Sequence, residues 1–580
     1  MMRRALLLVG LAVSLASASH AQTFGSCETG AAHRFIETPT LRAAVMNTGG
    51  LFFGGQTTSG DGYIIPRWEE TPRGGPVSPI FAAGLWLGGR VDGELRVAAA
   101  RYGDWDFWPG PLENAATPPT DCSTHDRIYV VSRQDVARYL TTGELTNDLR
   151  DWPHHLGAPV LDGDGDSTNY DFRAGDQPEL IGDVAAWWVM NDAGNDHGQS
   201  GRSWTAGEST PLGVEVRVLA FAFGSPHTAQ SRALTQTTFY RYEVINRGRQ
   251  PVDSMYAAMW ADFDLGDGGD DYIGVDTLRN LSYVYNREDL DADYGQAPPA
   301  QGVQVLIGPV GLANGRDDDF DGEVDEAGER LRATATGPFY WLCGVCDYFY
   351  PFPFFSEHYF YMMQGRWQHG DPIYEIWNGE WVHEGEAPVT RFLFSGDPVT
   401  ESFWSEMNID GNGTRMGVRG RESSLATGPF RLEPGASATL LYAMPYARST
   451  SHLQSVAALR AIASVLQDAS SAGAFERSSQ VRAGEHGGLG VRDRPVSLSR
   501  VQPNPVSGSA AALLTLPADT HVRATILDAL GRQLEVLVDA EMPRGDHELA
   551  ISAGLAPGMY LLRVEVEPGG VETLTFTVAQ

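Results

Sequence analysis

Residues 501–580 contain six short apolar runs separated by turn residues, and this pattern restricts what the segment can fold into. Within each run, apolar residues alternate with polar ones or follow one another directly, and Pro, Gly or Asp stands between the runs. Runs of this length and spacing are typical of β-strands in a small sandwich. The runs are 511–516, 522–527, 533–538, 547–551, 560–565 and 572–578. The segment therefore predicts a separate C-terminal β-domain.

Three short motifs in this segment carry a family resemblance. One opens the segment, one closes a turn between two predicted strands, and one leads into a later strand. They consist of Pro503, Asn504 and Pro505, then Gly531 and Arg532, and finally Pro557, Gly558 and Tyr560. Together they resemble the type A sorting domain of type IX secretion, although the chain ends on Gln580 where such domains often have a basic residue. The resemblance implies an immunoglobulin-like sandwich that the outer-membrane secretion machinery recognises. The alternative is an accessory immunoglobulin-like domain.

The N-terminus has the pattern of a secretory signal peptide. Arg3 and Arg4 precede an apolar run at 5–15, which is too short to span a bilayer as a helix. Small residues at Ser19 and Ala21 predict cleavage after Ala21. We see no other apolar stretch with the length of a transmembrane helix. Signal peptide and sorting domain fit one route, across the inner and outer membranes to the cell surface or the medium.

The charge of the chain argues against several kinds of chemistry. Its 580 residues include 74 acidic and 42 basic side chains, a net charge of −32, and every basic residue is Arg. Without Lys, the chain has no residue for a Schiff base or for the lysine of a phosphate loop. Nucleic-acid binding depends on basic surfaces. We therefore expect no nucleic-acid partner.

Residues 22–468 predict a β-rich body with one late helix. Strand-like runs recur along it, and the alternating run at 238–246 predicts a strand with one face in solvent. Six motifs stand in a recognisable order, and they include those at 81–89, 157–166, 187–192, 262–266 and 395–399. They resemble the body of a large family of type IX-exported surface proteins that has no established biochemical activity. The resemblance implies architecture and location only. The expected fold class is mainly β, a multi-strand sandwich-type body followed by the small C-terminal sandwich.

One segment of the body has a helical pattern. Its apolar residues recur every three or four positions, and Ser451 precedes them as a suitable N-cap. The apolar positions are Leu453, Val456, Leu459, Ile462 and Leu466. Residues 469–500 are rich in Ser, Gly and Arg and predict a linker. The expected divisions are a signal peptide at 1–21, the body at 22–468, the linker at 469–500 and the sorting domain at 501–580.

Three acidic loops are the candidate metal sites, and the first resembles half of a calcium loop. Carboxylates alternate with other residues, and Gly322 permits the sharp turn. Gly328 stands where an EF-hand would supply its last glutamate, so a free-standing calcium loop fits better. The candidate ligands are Asp317, Asp319, Asp321, Glu323 and Asp325. The alternative is a solvated acidic turn.

The other two loops have a similar composition. In the second, Asp162, Asp164 and Asp166 alternate with glycines, and Asp171 is a candidate fourth ligand. The third begins with Asp262 and Asp264 and continues with Asp267, Asp270, Asp271 and Asp276. Carboxylates this dense repel one another unless a cation lies between them. Because exported proteins meet millimolar calcium, our hypothesis is that Ca²⁺ stiffens these loops. Solvated turns are again the alternative.

The four cysteines are candidates for disulfides. Cys343 and Cys346 form a C-x-x-C pair, whereas Cys27 and Cys122 lie far apart and would tie down the N-terminal segment if bonded. Disulfides persist in exported proteins, and the chain lacks the second pair that a zinc site of this kind needs. Plain thiols and, less well, a metal site are the alternatives.

Two functions remain open. We find no sequence signature of a metalloprotease, a serine hydrolase or a phosphate-binding loop. An aromatic-rich segment at 339–381 either packs as core or stacks on sugar rings, which would make surface polysaccharide a partner. The first function is a non-enzymatic structural or adhesive surface protein stiffened by calcium. The alternative is an extracellular polysaccharide hydrolase, whose pair of catalytic carboxylates is not identifiable from sequence.

Overall fold

The structure is a computed structural model that describes most of the chain, which divides into two compact units, Met1–Val481 and Arg482–Gln580. The described residues are 27, 30, 32–53, 62–67, 71–72, 74–75, 77–102, 104–113, 122–194, 197, 209–224, 229–312, 324, 328–341, 353–375, 387–417, 420–475, 497–498, 510–516, 520–528, 533–543, 545–551, 555, 558–566 and 570–578.

In its described part, the first unit consists mainly of β-strands. The earlier strands are β1 (His33–Glu37), β2 (Arg42–Met46), β3 (Gly50–Leu51), β4 (Tyr63–Ile64), β5 (Ala82–Val91), β6 (Glu94–Arg101), β7 (Asp104–Trp105), β8 (Trp108–Pro109), β9 (Tyr129–Ser132), β10 (Val160–Leu161), β11 (Gln177–Pro178), β12 (Val184–Asn191) and β13 (Val214–Ala222). The later strands are β14 (Thr237–Asn246), β15 (Val252–Phe263), β16 (Asp271–Asp276), β17 (Leu281–Asn286), β18 (Leu290–Asp291), β19 (Gly295–Gln296), β20 (Ala300–Ile307), β21 (Ala335–Trp341), β22 (Ile373–Tyr374), β23 (Val389–Thr390), β24 (Gly420–Leu432) and β25 (Ser437–Ala447).

Most of these strands belong to two large antiparallel sheets. The order in the first sheet is β1-β2-β3-β5-β15-β24-β21, with β4 beside β2, β6 beside β5 and β7 beside β6. The order in the second is β16-β17-β20-β25-β14-β13-β12-β8, with β9 also beside β12. Consecutive strands such as β14 and β15 lie in different sheets. The chain therefore connects the two sheets repeatedly.

An apolar core lies between the two sheets. One cluster of buried side chains includes Leu85 and Met259 from the first sheet and Val216 and Tyr242 from the second. Successive residues of a strand face opposite sides, and Trp86, next to Leu85, belongs to a separate cluster on the outer face. The body is therefore a β-sandwich that buries both faces of its central strands, and the expected mainly β fold class is confirmed.

Helices cover parts of the outer faces. In the described residues they are α1 (Arg133–Thr142), α2 (Asn147–Arg150), α3 (Ala229–Thr235), α4 (Ser356–Met363) and α5 (His452–Ser471). On the first sheet, Tyr359 of α4 lies edge-on to Trp86, with ring centroids 4.8 Å apart. The sequence predicted only the last helix, because the shorter ones offer too few turns for a clear apolar repeat.

The predicted late helix is present as α5. Ser451 is its N-cap and accepts a hydrogen bond from the Gln454 amide at 3.2 Å. Val456, Leu459 and Leu466 are buried where the helix packs against β20 and β25 of the second sheet. The helix continues to residue 471, three residues beyond the predicted end of the body.

The strand β14 is more deeply buried than its sequence predicted. The alternation at 238–246 predicted one face in solvent, yet most residues on both faces are buried. Phe239 stacks on Phe221 with ring centroids 4.9 Å apart, and Phe475, beyond the end of α5, packs 4.9 Å from Phe239. A distant part of the chain therefore covers this face, which local alternation does not reveal.

A disulfide joins Cys27 to Cys122, which are 95 residues apart in the sequence. Both cysteines are buried in a small cluster with Trp108. The bond therefore ties the start of the described chain to the rest of the body. Cys343 and Cys346 lie outside the described residues.

The second unit is a small sandwich of its own. Its strands are β26 (Ser497–Leu498), β27 (Ala510–Leu516), β28 (Thr520–Asp528), β29 (Gln533–Met542), β30 (Gly545–Ile551), β31 (Gly558–Val566) and β32 (Gly570–Val578). They form the sheets β26-β27-β30 and β29-β28-β31-β32 around a core that includes Leu514, Ile526 and Leu562. All six predicted strands are present, and β26 comes from the predicted linker.

The motif residues of this unit are described only in part. Gly558 begins β31, and Tyr560 in the same strand is buried. The other motif positions, Pro503, Asn504, Pro505, Gly531, Arg532 and Pro557, lie outside the described residues.

Replacing Trp86 by Ala should destabilise the body far more than replacing an exposed leucine. Trp86 is fully buried, stacks on Trp260 with ring centroids 6.2 Å apart, and donates from Nε1 to the carbonyl of Ala100 at 3.1 Å. The cavity left by Trp86→Ala should lower the free energy of unfolding by about 3–5 kcal/mol in a denaturant titration. The control Leu140→Ala alters a side chain that is 63% exposed. It should change the free energy of unfolding by less than about 0.5 kcal/mol. Equal losses would contradict the stabilising role of the outer-face cluster.

Candidate functional site

The three acidic loops differ in what the structure shows of them. The candidate ligands of the first loop, Asp317, Asp319, Asp321, Glu323 and Asp325, lie outside the described residues. The second and third loops lie within the described residues.

A short hairpin closes the second acidic loop. The strands β10 and β11 pair with each other, Asp162 follows the first of them, and Asp176 precedes the second. Asp162, Asp164 and Asp176 each bring a carboxylate oxygen within 4.8 Å of the other two. Gly163 makes this close approach possible, because a Cβ there would lie 2.3 Å from the backbone of Gly175. In the described part of the chain, Asp162, Asp164 and Asp176 thus form a group of three carboxylates that could hold a metal ion.

Backbone amides orient the carboxylates of this loop. Asp162 Oδ1 accepts a hydrogen bond from the Gly165 amide at 2.6 Å, and Asp176 Oδ1 accepts one from Gly163 at 2.8 Å. Asp176 is only 2% exposed, whereas the other two side chains face solvent. Carboxylate oxygens are the ligands that Ca²⁺ prefers.

The sequence suggested Asp166 and Asp171 as further ligands, but Asp176 completes the cluster with Asp162 and Asp164. The Asp166 carboxylate instead accepts hydrogen bonds from the amide and hydroxyl of Thr168, at 3.0 and 2.6 Å. The backbone amide of Asp171 donates to Asp176 at 2.7 Å. The loop folds back on itself, so a residue fourteen positions after Asp162 becomes its neighbour. The sequence signal that could have identified Asp176 is its position directly before the second strand of the hairpin.

The third acidic loop borders a cleft. Asp262 and Asp264, at the end of β15, line a space of about 690 Å³ together with Phe81, Tyr102 and Asp267. Asp262 and Asp264 are two residues apart along an extended segment, so both side chains reach the same side. Acidic and aromatic side chains therefore meet in one concave surface.

A buried network holds Asp262 in place. The Tyr102 hydroxyl lies 2.9 Å from Asp262 Oδ2 and 3.0 Å from Glu422 Oε1. Glu422 also pairs with Arg101 at 3.2 Å and accepts a hydrogen bond from Trp260 Nε1 at 2.9 Å. Both members of the Arg101–Glu422 ion pair are buried.

Hydrogen bonding and burial together favour a neutral carboxyl in this network. The Tyr102 hydroxyl has one proton, and an ionised carboxylate only accepts, so two bonds to carboxyl groups require one of those groups to be protonated. Arg101 and Trp260 favour the ionised form of Glu422. Burial raises the pKa of Asp262 well above its usual range, and the negative charges of Glu422 and Asp264 raise it further. These interactions favour the neutral form of Asp262 where it lines the cleft.

The other carboxylates of the third loop fall into two groups. Asp276 pairs with Arg279 at 2.8 Å and with Arg460 at 3.3 Å, so its charge is balanced by the protein. Burial raises the pKa of Asp270 to about 7 and that of Asp271 well above its usual range. Negative charge on Asp291 raises both pKa values further. Asp291 belongs to a later part of the sequence, which the loop pattern did not include.

The sequence analysis missed Arg101, Tyr102 and Glu422. One signal for them is the pair Arg421-Glu422 in β24, which is followed by eight uncharged residues, 423–430. Neighbouring residues of a strand face opposite sides, so two buried charges in succession require one partner on each face. Arg421 pairs with Glu406 at 2.6 Å within the sandwich, and Glu422 pairs with Arg101 on the outer face.

The aromatic segment is partly described. Tyr359 and Phe360 are buried in the outer-face cluster on the first sheet, so these two rings pack as core. Phe354 and Phe355, just before α4, are 46% and 52% exposed. Both uses of aromatic residues, packing and exposure, are therefore present along this segment.

Comparisons with known proteins give no family for this chain. No family model matches it, and no curated protein matches it. Among solved structures, a polysaccharide lyase aligns over 63% of this chain and 34% of its own, at 9% identity and a TM-score of 0.18. The adhesin domain of Epf from Streptococcus pyogenes aligns over 62% of this chain and 88% of its own, at 7% identity and a TM-score of 0.12. TM-scores this low do not establish a shared fold.

Within the part of the chain that the structure describes, none of the helices combines the length and the hydropathy needed to cross a bilayer.

Replacing the carboxyl by an amide should affect the stability of the body little at Asp262 and strongly at Glu422. Asp262→Asn keeps a neutral group beside Tyr102 and should change the free energy of unfolding by less than about 1 kcal/mol. Glu422→Gln leaves Arg101 buried without its counter-charge and should cost about 3–5 kcal/mol. Denaturant titration at pH 7 measures both values. A larger loss for Asp262→Asn than for Glu422→Gln would reverse the assignment of the neutral carboxyl.

Proposed function

We propose that this chain is an exported cell-surface protein whose body is a structural or adhesive β-sandwich stiffened by calcium. The signal-peptide pattern and the three C-terminal motifs support export through type IX secretion. The small C-terminal sandwich is compatible with a sorting domain. Together these features support a location at the cell surface or in the medium.

The observation that carries the calcium part of the proposal is the cluster of Asp162, Asp164 and Asp176. Their oxygens lie within 4.8 Å of one another, at the neck of a hairpin. A cation there would join the two ends of the loop and offset the repulsion between three carboxylates. An ion that binds only the folded chain raises its stability by mass action. Calcium would thus rigidify a surface that is rich in acidic residues.

Calcium should raise the melting temperature of the mature chain, and Asp164→Asn should reduce that rise. The asparagine at position 164 keeps the oxygen that accepts a hydrogen bond from the Asp166 amide at 2.8 Å. It lacks the negative charge that would hold the cation. The matched control is Asp166→Asn, which removes the same charge from the same loop outside the cluster. Thermal melting in calcium and then in chelator, at fixed salt, measures the difference. An equal calcium response in both variants and the parent chain would remove the support for this site.

Residues 501–580 should direct a foreign protein to the cell surface. The test joins them to a fluorescent protein that carries a signal peptide and expresses the fusion in a bacterium with type IX secretion. We expect the reporter to become accessible to added protease, and to remain protected in a strain that lacks the outer-membrane machinery. Equal protection of the reporter in both strains would exclude the sorting function.

A second candidate function is an extracellular polysaccharide hydrolase, and the cleft beside Tyr102 favours it. Neutral Asp262 is suited to donate its proton to the departing sugar oxygen. Asp264, also in the cleft, would accept a proton from the water that attacks the anomeric carbon. The exposed face of Phe81 offers an apolar surface beside both acids.

If the cleft is catalytic, the mature chain should release new reducing ends from a polysaccharide, and Asp262→Asn should abolish the release. The stability of this variant is expected to match that of the parent chain, so a loss of activity would not reflect unfolding. A panel of neutral and acidic polysaccharides, assayed for reducing sugar, measures this. Release that persists in Asp262→Asn would exclude Asp262 as the acid.

A further inference from the structure

The pair Asp271 and Asn286 has buried oxygen atoms that no protein group satisfies. The two residues lie opposite each other on β16 and β17, and both side chains are fully buried. Asp271 Oδ1 and Asn286 Oδ1 have no hydrogen-bond partner in the described structure. Buried polar atoms are nearly always paired, with protein, water or an ion. Two unpaired acceptors on facing residues therefore point to a ligand that supplies positive charge.

Neighbouring groups hold both side chains in place. Asn286 Nδ2 donates to Asp270 Oδ1 at 2.7 Å and to Asp291 Oδ2 at 3.3 Å, which fixes the orientation of the amide. The second oxygen of Asp271 accepts from the Leu265 amide at 3.0 Å. Asp291 is itself anchored by the amides of Asp267 and Asp293, at 3.0 and 2.8 Å. The oxygens are therefore preorganised.

The charge around this pair is not balanced by arginine. Several other buried carboxylates do have an arginine partner: Glu406 has Arg421, Glu422 has Arg101, and Glu215 has Arg217 and Arg247. Asp276, at the other end of β16, has Arg279 and Arg460. Within the described ranges, no arginine lies within 4.0 Å of the carboxylates of Asp270, Asp271 or Asp291. The cluster thus has carboxylates and an amide oxygen but no cation of its own.

We propose that Asp271, Asn286 and Asp270 bind a divalent cation, Ca²⁺, and that Asp291 positions the amide of Asn286. Carboxylate and amide oxygens are hard ligands that Ca²⁺ prefers, and water completes its six to eight contacts. The ion satisfies both unpaired oxygens and neutralises the cluster. Because Asp271 also holds the Leu265 amide, the site fixes the loop at 264–269 that forms one wall of the cleft. This site is separate from the one in loop 162–176 and does not depend on it.

The test counts calcium ions bound per mature chain by equilibrium dialysis and compares variants. Asp271→Asn should bind one ion fewer than the parent chain and lose part of the calcium-dependent rise in melting temperature. Glu288→Gln is the matched control, since it removes one negative charge near Asp270 from an exposed side chain. The control should bind as many ions as the parent chain. Asp164→Asn reports the other site, so the two proposals succeed or fail separately. An unchanged ion count in Asp271→Asn overturns the site.

A second variant keeps the proposal testable if Asp271→Asn does not fold. Asn286→Asp retains an oxygen ligand and adds a negative charge. With a cation between the strands, this variant should be less stable than the parent chain in chelator and show a larger calcium-dependent rise in melting temperature. Without a cation, the added buried charge should destabilise the chain equally in chelator and in calcium, and that result would also overturn the proposal.

Discussion

The burial of both faces of the central strands is the constraint on which the rest of the body depends. Each large sheet contributes one face to the common core and has the other covered by a helix or by the chain beyond α5. A charge on such a strand has no access to water, so it requires a partner within the protein. Arg421 and Glu422 show the consequence, because the first pairs inside the sandwich and the second pairs outside it.

The acidic loops lie where this constraint is relaxed, at the ends of strands. Asp162 and Asp176 flank a hairpin, and Asp262 and Asp264 end β15 beside the cleft. Some of these carboxylates are balanced by arginine, the pKa of Asp262 is raised by burial and by neighbouring carboxylates, and others have only amides and one another. The distribution of counter-charges, more than the number of acids, separates a structural ion pair from a candidate metal site or a candidate acid.

The proposed location and the proposed role of the body rest on different parts of this chain. The C-terminal sandwich has the six strands that its sequence predicted, and its proposed sorting role does not depend on what the body does. The body combines a large core with a cleft and a cluster of three carboxylates, so the proposed structural and catalytic roles both have a physical basis. Rigid strands hold the cleft residues, whereas the loop at 264–269 provides one of its walls.

The sequence by itself determined the elements whose signals are local. The six C-terminal strands and the helix that begins after Ser451 follow from apolar periodicity and turn residues, which depend on neighbours in the chain. The tertiary structure alone decided which acids meet. Tyr102 reaches Glu422 across 320 residues, Asp176 replaces Asp166 beside Asp162, and Phe475 covers β14. Such contacts depend on the order of strands in the two sheets, and that order is set by the packing of the whole core, which no local pattern encodes.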